Sequence, residues 1–268
     1  MRINLFFMIT TNKNIKHSIL FLVFALSSMV VFGQEPTPKN TKANRTSKLI
    51  QEKAGRPDIP GDLMVEFGFN WLQESSPIGF NTIKSKTFNA YYLYEMNIGE
   101  SAFSFHPGIG IGTEKYAFEQ DLTLGYGFDS LGNEEVQFVA LDSIYGIGTS
   151  YKKSQINPNY VDIPLEFRWR SRKYDARSSI KITVGGKVGF LFDSKTKVKY
   201  TENGETKKTK QKEKFELSTF RYGVYGKVGY GGFSAFYYYS ISDLFNKDKG
   251  PMGTTMYPMT FGLSLALF

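Results

Sequence analysis

Between Tyr160 and Trp169 the side chains alternate without a break: Val161, Ile163, Leu165, Phe167 and Trp169 share one face, and Asp162, Glu166 and Arg168 the other. A period of two belongs to a β-strand, and this strand separates an apolar medium from a polar one. A soluble sandwich turns its apolar face inward. A transmembrane barrel turns it outward to lipid and keeps the polar face for its interior. A single strand decides nothing, so the pattern must recur.

It recurs along most of the chain. Leu63, Val65, Phe67, Phe69 and Trp71 alternate with Met64, Glu66, Gly68 and Asn70. A second strand is predicted from Phe88 to Ile98, with Tyr92, Tyr94 and Met96 opposite Asn89, Glu95 and Asn97, and the turn Asn97-Ile98-Gly99-Glu100 ends it. The third sets Phe103, Phe105, Ile109 and Ile111 against Ser104, His106, Gly108, Gly110 and Gly112, whose glycines leave room for long side chains from neighbouring strands. Pro107 falls in its outer register, at the expense of a ladder bond unless a bulge absorbs it. After the Tyr160 strand and a charged turn at Ser171 to Asp175 comes a fifth, with Ile180, Ile182, Val184, Val188, Phe190 and Phe192 outside and Lys181, Thr183, Lys187 and Asp193 inside. The sixth directs Phe220, Tyr222, Val224, Val228 and Tyr230 outward and Arg221, Tyr225 and Lys227 inward. Phe233, Ala235, Tyr237, Tyr239 and Ile241 oppose Ser234, Tyr238, Ser240 and Ser242 in the seventh, and the eighth runs from Met256 to Phe268.

Eight strands joined by alternately long and short connections describe an up-and-down transmembrane β-barrel, all-β and antiparallel, with both termini on the side of the short turns. That side is the periplasm. The insertion from Glu119 to about Thr149 has β-like pieces near Asp129 to Asn133 and Val136 to Val139; it is expected as an outer loop whose hairpin extends the wall, and two added strands remain open. Lys195 to Lys214 is expected as a lysine-dominated loop. A terminal Phe on an amphipathic last strand resembles the signal read by outer-membrane insertion machinery. Phe268 nevertheless sits in the register of Gly262, Ser264 and Ala266, one residue out of phase with Phe261, Leu263, Leu265 and Leu267.

Composition agrees with this address. Aromatic residues make up 16% of the chain, 24 of them Phe and 17 Tyr, as barrels with aromatic belts at two interfaces require. Lys13 and Lys16 precede an apolar run from Ser18 to Phe32, too short to span a bilayer as a helix but suited to a secretory signal (1–33) cleaved after Gly33, with Met8 an alternative start. Residues 34–61 form a polar, basic leader without apolar period, expected to stay disordered in the periplasm, and 62–268 form the barrel. Three of the 33 bases, Arg2, Lys13 and Lys16, leave with the signal, so the net charge falls from +8 to +5. So mild and dispersed a charge gives no reason to expect nucleic acid. With no Cys there are no disulfides, CxxC pairs or thiolate metal sites.

The segment Tyr160-Val161-Asp162-Ile163-Pro164-Leu165-Glu166-Phe167, its charged turn and the Gly-punctuated strand after it resemble the Bacteroidetes outer-membrane β-barrel family often labelled PorT-like. The tail from Phe236 to Phe245, followed by Lys249-Gly250-Pro251, shares the likeness. The resemblance covers about Leu63 to Phe268. It implies an eight-stranded monomeric barrel in a Gram-negative outer membrane and, through the family's name, an accessory role in type IX protein secretion. No residue role transfers with it.

The inward face collects Glu66, Glu95, Asp162 and Glu166 with Arg168, Arg170, Lys181, Lys187, Arg221 and Lys227. An eight-stranded barrel has an interior that side chains just fill, and unpaired charge there is expensive, so this set is expected to form a salt-bridged plug in place of an apolar core. A narrow ion or solute channel is the alternative. A hydrolase or acyltransferase needs a His beside a nucleophile or acid. Only His17, in the signal, and His106 exist, and Asp162 and Glu166 lie about 13 Å apart along their strand, too far to cooperate. A lipid-modifying enzyme is therefore the third reading; no catalytic residue, metal or cofactor is expected. The stretch with Lys195, Lys197, Lys199, Lys207, Lys208, Lys210, Lys212 and Lys214 also holds Glu202, Glu205 and Glu213; it is read first as a solvated hairpin tip, and the alternative is a cationic surface for lipopolysaccharide phosphates or an envelope or secretion partner. The reading as a whole is a non-enzymatic barrel with a structural or assembly role.

Overall fold

The alternation is realised as paired strands. The structure, a computed structural model, describes residues 61–74, 80–119, 121–128, 132–146, 149–172, 175, 178–202 and 204–267. The expected signal, the leader up to residue 60 and the register of Phe268 lie outside them. In chain order the elements are β1 (Asp62–Glu74), β2 (Lys86–Leu93), β3 (Met96–Asn97), β4 (Phe103–Glu114), β5 (Tyr116–Ala117), β6 (Leu122–Phe128), β7 (Glu134–Ala140), α1 (Leu141–Tyr145), β8 (Ser150–Arg170), β9 (Ile180–Glu202), β10 (Glu205–Gln211), β11 (Phe220–Tyr230), β12 (Phe233–Ser240) and β13 (Met256–Ala266). Among these residues no helix is long and apolar enough to cross a membrane.

Eight of the strands make one closed antiparallel wall in the order β1, β2, β4, β8, β9, β11, β12, β13 and back to β1. The closing seam sets Met64 opposite Ala266 and Glu74 opposite Met256, so the first and last strands meet along their length. Closure removes the free edges that an open sheet would expose. Tight turns at Gly99 and Gly231, both with positive φ, mark one end of the barrel, where β1 begins and β13 stops. The other end carries the long connections.

Parity decides what each face meets. Phe67, Leu165, Phe167, Phe190, Val224 and Leu263 are exposed on the outside, while Glu66, Asp162, Glu166, Arg168, Arg221 and Lys227 are buried within. The apolar face of every wall strand thus looks outward, opposite to a soluble core. Aromatic rings gather at two levels of it. Phe103, Phe105, Phe167, Trp169, Tyr230 and Phe233 ring the turn end, and Phe69, Phe261, Phe190, Phe220 and Tyr222 ring the loop end, with Phe105 and Phe167 centred 4.9 Å apart and Phe190 and Phe220 5.2 Å apart. Such girdles border the hydrocarbon of a bilayer.

The inner glycines are the counterpart of this filling. A Cβ on Gly112 would lie 2.6 Å from both Arg221 Nη2 and Asp162 Oδ2, and one on Gly185 2.9 Å from the Tyr225 ring. Glycine is needed where a partner's side chain crosses the strand.

Three expectations are corrected. The second wall strand does not run unbroken to Ile98: it stops at Leu93 and resumes as the two-residue β3. Pro107 stands in its register with no bulge to absorb the lost ladder bond: β4 and β8 hold one register from Phe103 opposite Trp169 to Thr113 opposite Asn159. The insertion contributes β6 and β7 as a separate two-stranded sheet and adds nothing to the wall. The lysine segment is a hairpin, as its first reading has it, but one built of regular strand rather than loop: β9 continues to Glu202 and β10 returns along it, with Lys210 opposite Lys197. The wall therefore extends past the barrel through β8, β9 and β10.

Candidate functional site

The barrel interior carries the chemistry, in three storeys. Near the turn end Arg170 holds Glu95 by two hydrogen bonds of 2.7 and 2.9 Å, and Arg168 donates to Asp62 at 2.8 Å. Arg168 also reaches Glu166, 3.3 Å away. Lys227 from β11 then bridges Glu66 of β1 and Glu166 of β8 at 2.6 and 2.7 Å, with Tyr225 donating to Glu166 and Asn89 to Glu66. Charges brought from opposite walls by parity meet at mid-height.

One storey higher, Arg221 donates to both oxygens of Asp162, at 2.9 and 2.7 Å through Nη2, and to Glu114 through Nη1. Its guanidinium lies 3.8 Å from the Tyr160 ring centre. Tyr91 donates to Asp162 at 2.9 Å, and Lys187, 3.7 Å from the same carboxylate, sits over the Tyr238 ring. A buried charge left alone is costly, and here the carboxylates are met by cations, hydroxyls or amides.

The top storey is apolar. Leu72, Tyr116, Phe118, Leu124, Val136, Ile156, Tyr160, Leu191, Phe215, Leu217, Leu244, Phe245 and Met256 form one buried cluster under the loop end. Leu124 and Val136 come from the β6–β7 hairpin, so the insertion lays its apolar side over the barrel mouth. Between the lower storeys, a void lined by Glu66, Asn89, Tyr91, Lys187, Tyr225, Phe236, Tyr238 and Thr260 leaves about 10 Å³ for the centre of a water molecule. A second, under Glu114, Tyr160 and Arg221, offers the same. Each holds about one water.

Of the ten expected lumen charges, Glu66, Glu95, Asp162, Glu166, Arg168, Arg170, Lys187, Arg221 and Lys227 pair, while Lys181 is buried without an ion pair among the described residues. The sequence reading missed Asp62 and Glu114. Carrying the period of two one step further, from Met64 back to Asp62 and from Gly112 on to Glu114, would have found them. It missed the apolar storey as well, and the plug is therefore ionic below and apolar above.

Ser104 Oγ and His106 Nε2 lie 2.8 Å apart, the separation a nucleophile and base would need. Both are buried, and neither lines either void. The one histidine-containing group that could hold a cation is Asp62, Glu95 and His106 among the described residues, but Arg168 and Arg170 already neutralise its two carboxylates.

Of the eight lysines of the alternative cationic surface, Lys207 pairs with Glu202 at 2.6 Å, and Lys195 and Lys212 share Asp193. Lys197, Lys199, Lys208 and Lys210 share one face of the β9–β10 hairpin, and Lys214 follows β10 in the connection to β11.

No curated protein matches the chain in sequence. Among solved structures, the attachment invasion locus protein Ail of Yersinia pestis, in complex with the heparin analogue sucrose octasulfate, is 13% identical, with 78% of this chain and all of that chain covered and a TM-score of 0.31. A second structure of Ail is 12% identical over 77% of this chain and 97% of that one, with a TM-score of 0.33. A triple mutant of the Rhodopseudomonas blastica porin is 8% identical over 77% and 99%, at 0.19. The outer membrane protein beta-barrel domain matches residues 57–246, which is more than half of the sequence and includes seven of the eight wall strands, and the chain belongs to that family.

Proposed function

We propose that this outer-membrane β-barrel is a non-enzymatic scaffold, with its turns and both termini in the periplasm and its long connections outside. One observation carries the reading: the lumen is filled from wall to wall by paired charges and then sealed by the apolar cluster from Leu72 to Met256. A channel needs a continuous wet path and an enzyme a cavity beside its reactive groups. The interior voids described hold about one water each.

What remains to interact is the outside: the β8–β9–β10 extension, the β6–β7 hairpin and the leader. Their size suits a structural or assembly role, and the PorT-like resemblance directs it to a Bacteroidetes envelope and to an accessory place in type IX secretion. Affinity capture of the tagged protein from detergent-solubilised envelopes tests this reading. A partner retained in stoichiometric amount is expected. Discrete conductance steps from the purified protein in planar bilayers, or turnover of envelope lipid by it, would replace the scaffold with a channel or an enzyme.

A further inference from the structure

Like charges placed directly opposite each other on neighbouring strands destabilise a sheet. This barrel does so four times on one face. Lys86 and Lys115 exchange both backbone hydrogen bonds, at 3.1 and 2.9 Å. Further along the same outer face, Lys199 stands opposite Lys153 on one side and Lys208 on the other, and Lys197 stands opposite Lys210. Parity fixes their direction, since their inward neighbours Thr87, Glu114, Ser154, Thr196 and Val198 are buried. Among the described residues none of these lysines has an ion pair, although the chain places Glu202 and Asp193 beside Lys207, Lys195 and Lys212 nearby.

Their level is equally specific. Lys86 Nζ lies 5.8 Å from the ring centres of both Phe67 and Phe69, so the row begins where the outer aromatic girdle ends. On β8 the outward register changes from Asn157 and Asn159, both covered by their neighbours, to Val161 and Ile163, and on β9 from Lys195 and Asp193, which a register shift turns outward against the expected inward placing, to Phe192 and Phe190. Burial and then the neighbouring lysines hold Lys153 and Lys197 below the usual lysine value, so the ammonium groups sense one another across the strands. Half-buried stems with charged heads just above an apolar band are how lysines meet a lipid interface. Phosphate is the anion found at that level, and several lysines around it would convert four repulsions into shared attractions.

We propose that this lysine row is a docking surface for the phosphates of outer-leaflet glycolipid, seated beside the wall at strands β2, β4, β8, β9 and β10. The inference rests on the scaffold reading above, in which this end of the barrel faces outward. The lipid's chains would lie on Phe88, Ile111 and Phe190 while its phosphates bridge the lysines.

The test uses the purified barrel folded into neutral phosphatidylcholine vesicles and, in detergent, native mass spectrometry with lipid A as the probe. The unmodified protein is expected to insert and to retain lipid A, while Lys153→Gln/Lys197→Gln/Lys199→Gln/Lys208→Gln inserts equally well and binds at least tenfold more weakly. Lys207→Gln/Lys212→Gln, which removes lysines outside the row, should bind as the unmodified protein does. Equal binding by the fourfold variant, equal retention of dephosphorylated lipid A, or displacement by an equal concentration of inorganic phosphate or polyglutamate overturns the assignment to lipid phosphate. Failure of the unmodified protein to insert into neutral vesicles overturns the membrane-spanning reading, and this inference with it.

Discussion

Arg221 and Asp162 lie 59 residues apart in sequence and form a two-oxygen ion pair across the barrel interior, with Gly112 open beneath it. Three strands cooperate in this contact: β11 brings the base, β8 the acid, and β4 the absence of a side chain.

Removing one partner should therefore be costly. Breaking a buried pair leaves an uncompensated charge, for about 3–5 kcal/mol. Arg221→Met and Asp162→Asn are each expected to lower the urea midpoint of the heat-modifiable folded band accordingly. The double variant should lose less than the sum of the two, because the charges disappear together. Recovery should still be partial, since Glu114 also loses its guanidinium. Strict additivity would mean that the pair carries no coupling.

Gly112→Ala probes the third member. Its methyl would intrude on both ionic partners at 2.6 Å, so a loss of about 1–3 kcal/mol is expected from overpacking. Alanine at Gly132, where φ is positive but nothing lies within 4 Å, should leave the ion pair untouched and cost only the backbone strain it introduces. Equal effects on lumen packing, read by the tyrosine signals of near-UV circular dichroism, would argue against a crowded interior.

The outward face distinguishes lipid from water. Leu165 is 46% exposed near the middle of the apolar band. In a bilayer Leu165→Arg should lose about 2–4 kcal/mol. On a water-facing surface the same exchange would stay within about 0.5 kcal/mol. Urea unfolding from vesicles measures it directly, and a near-zero change would contradict lipid contact.

Alkaline titration addresses the lysine row. Burial first, then nearby ammonium groups, hold Lys153 and Lys197 below 10.5. A base whose value falls on folding resists protonation in the native state. Its charge is a stability penalty that is complete below the lowered value and fades as pH rises from there toward 10.5. In neutral lipid the unfolding midpoint should rise through that window, and less so in Lys153→Gln/Lys197→Gln. A midpoint that falls equally in both proteins would remove the strain from the lysines.

How much of this could be read in advance follows from where period two holds. On β1, β8, β11 and β12 the alternation assigned both faces, because each strand there has an apolar row outside and polar or ionic groups within. Asp62 and Glu114 escaped because the strands were ended at Leu63 and Gly112, one step short of each acid. The lysine hairpin was legible as a tip but not as continuing strand, since lysines and threonines alternate over most of it and only Val198 and Tyr200 mark an apolar side. The apolar storey was out of reach for another reason. Phe215, Leu217, Leu244 and Phe245 sit in connections with no period, and only the folded chain gathers them.

The stopper at the loop end has Leu72 from the first strand and Met256 from the last among its members. Those two strands also form the closing seam, so in the finished barrel the lid over the mouth and the join of the wall are tied together through shared residues. Loosening either one would loosen the other.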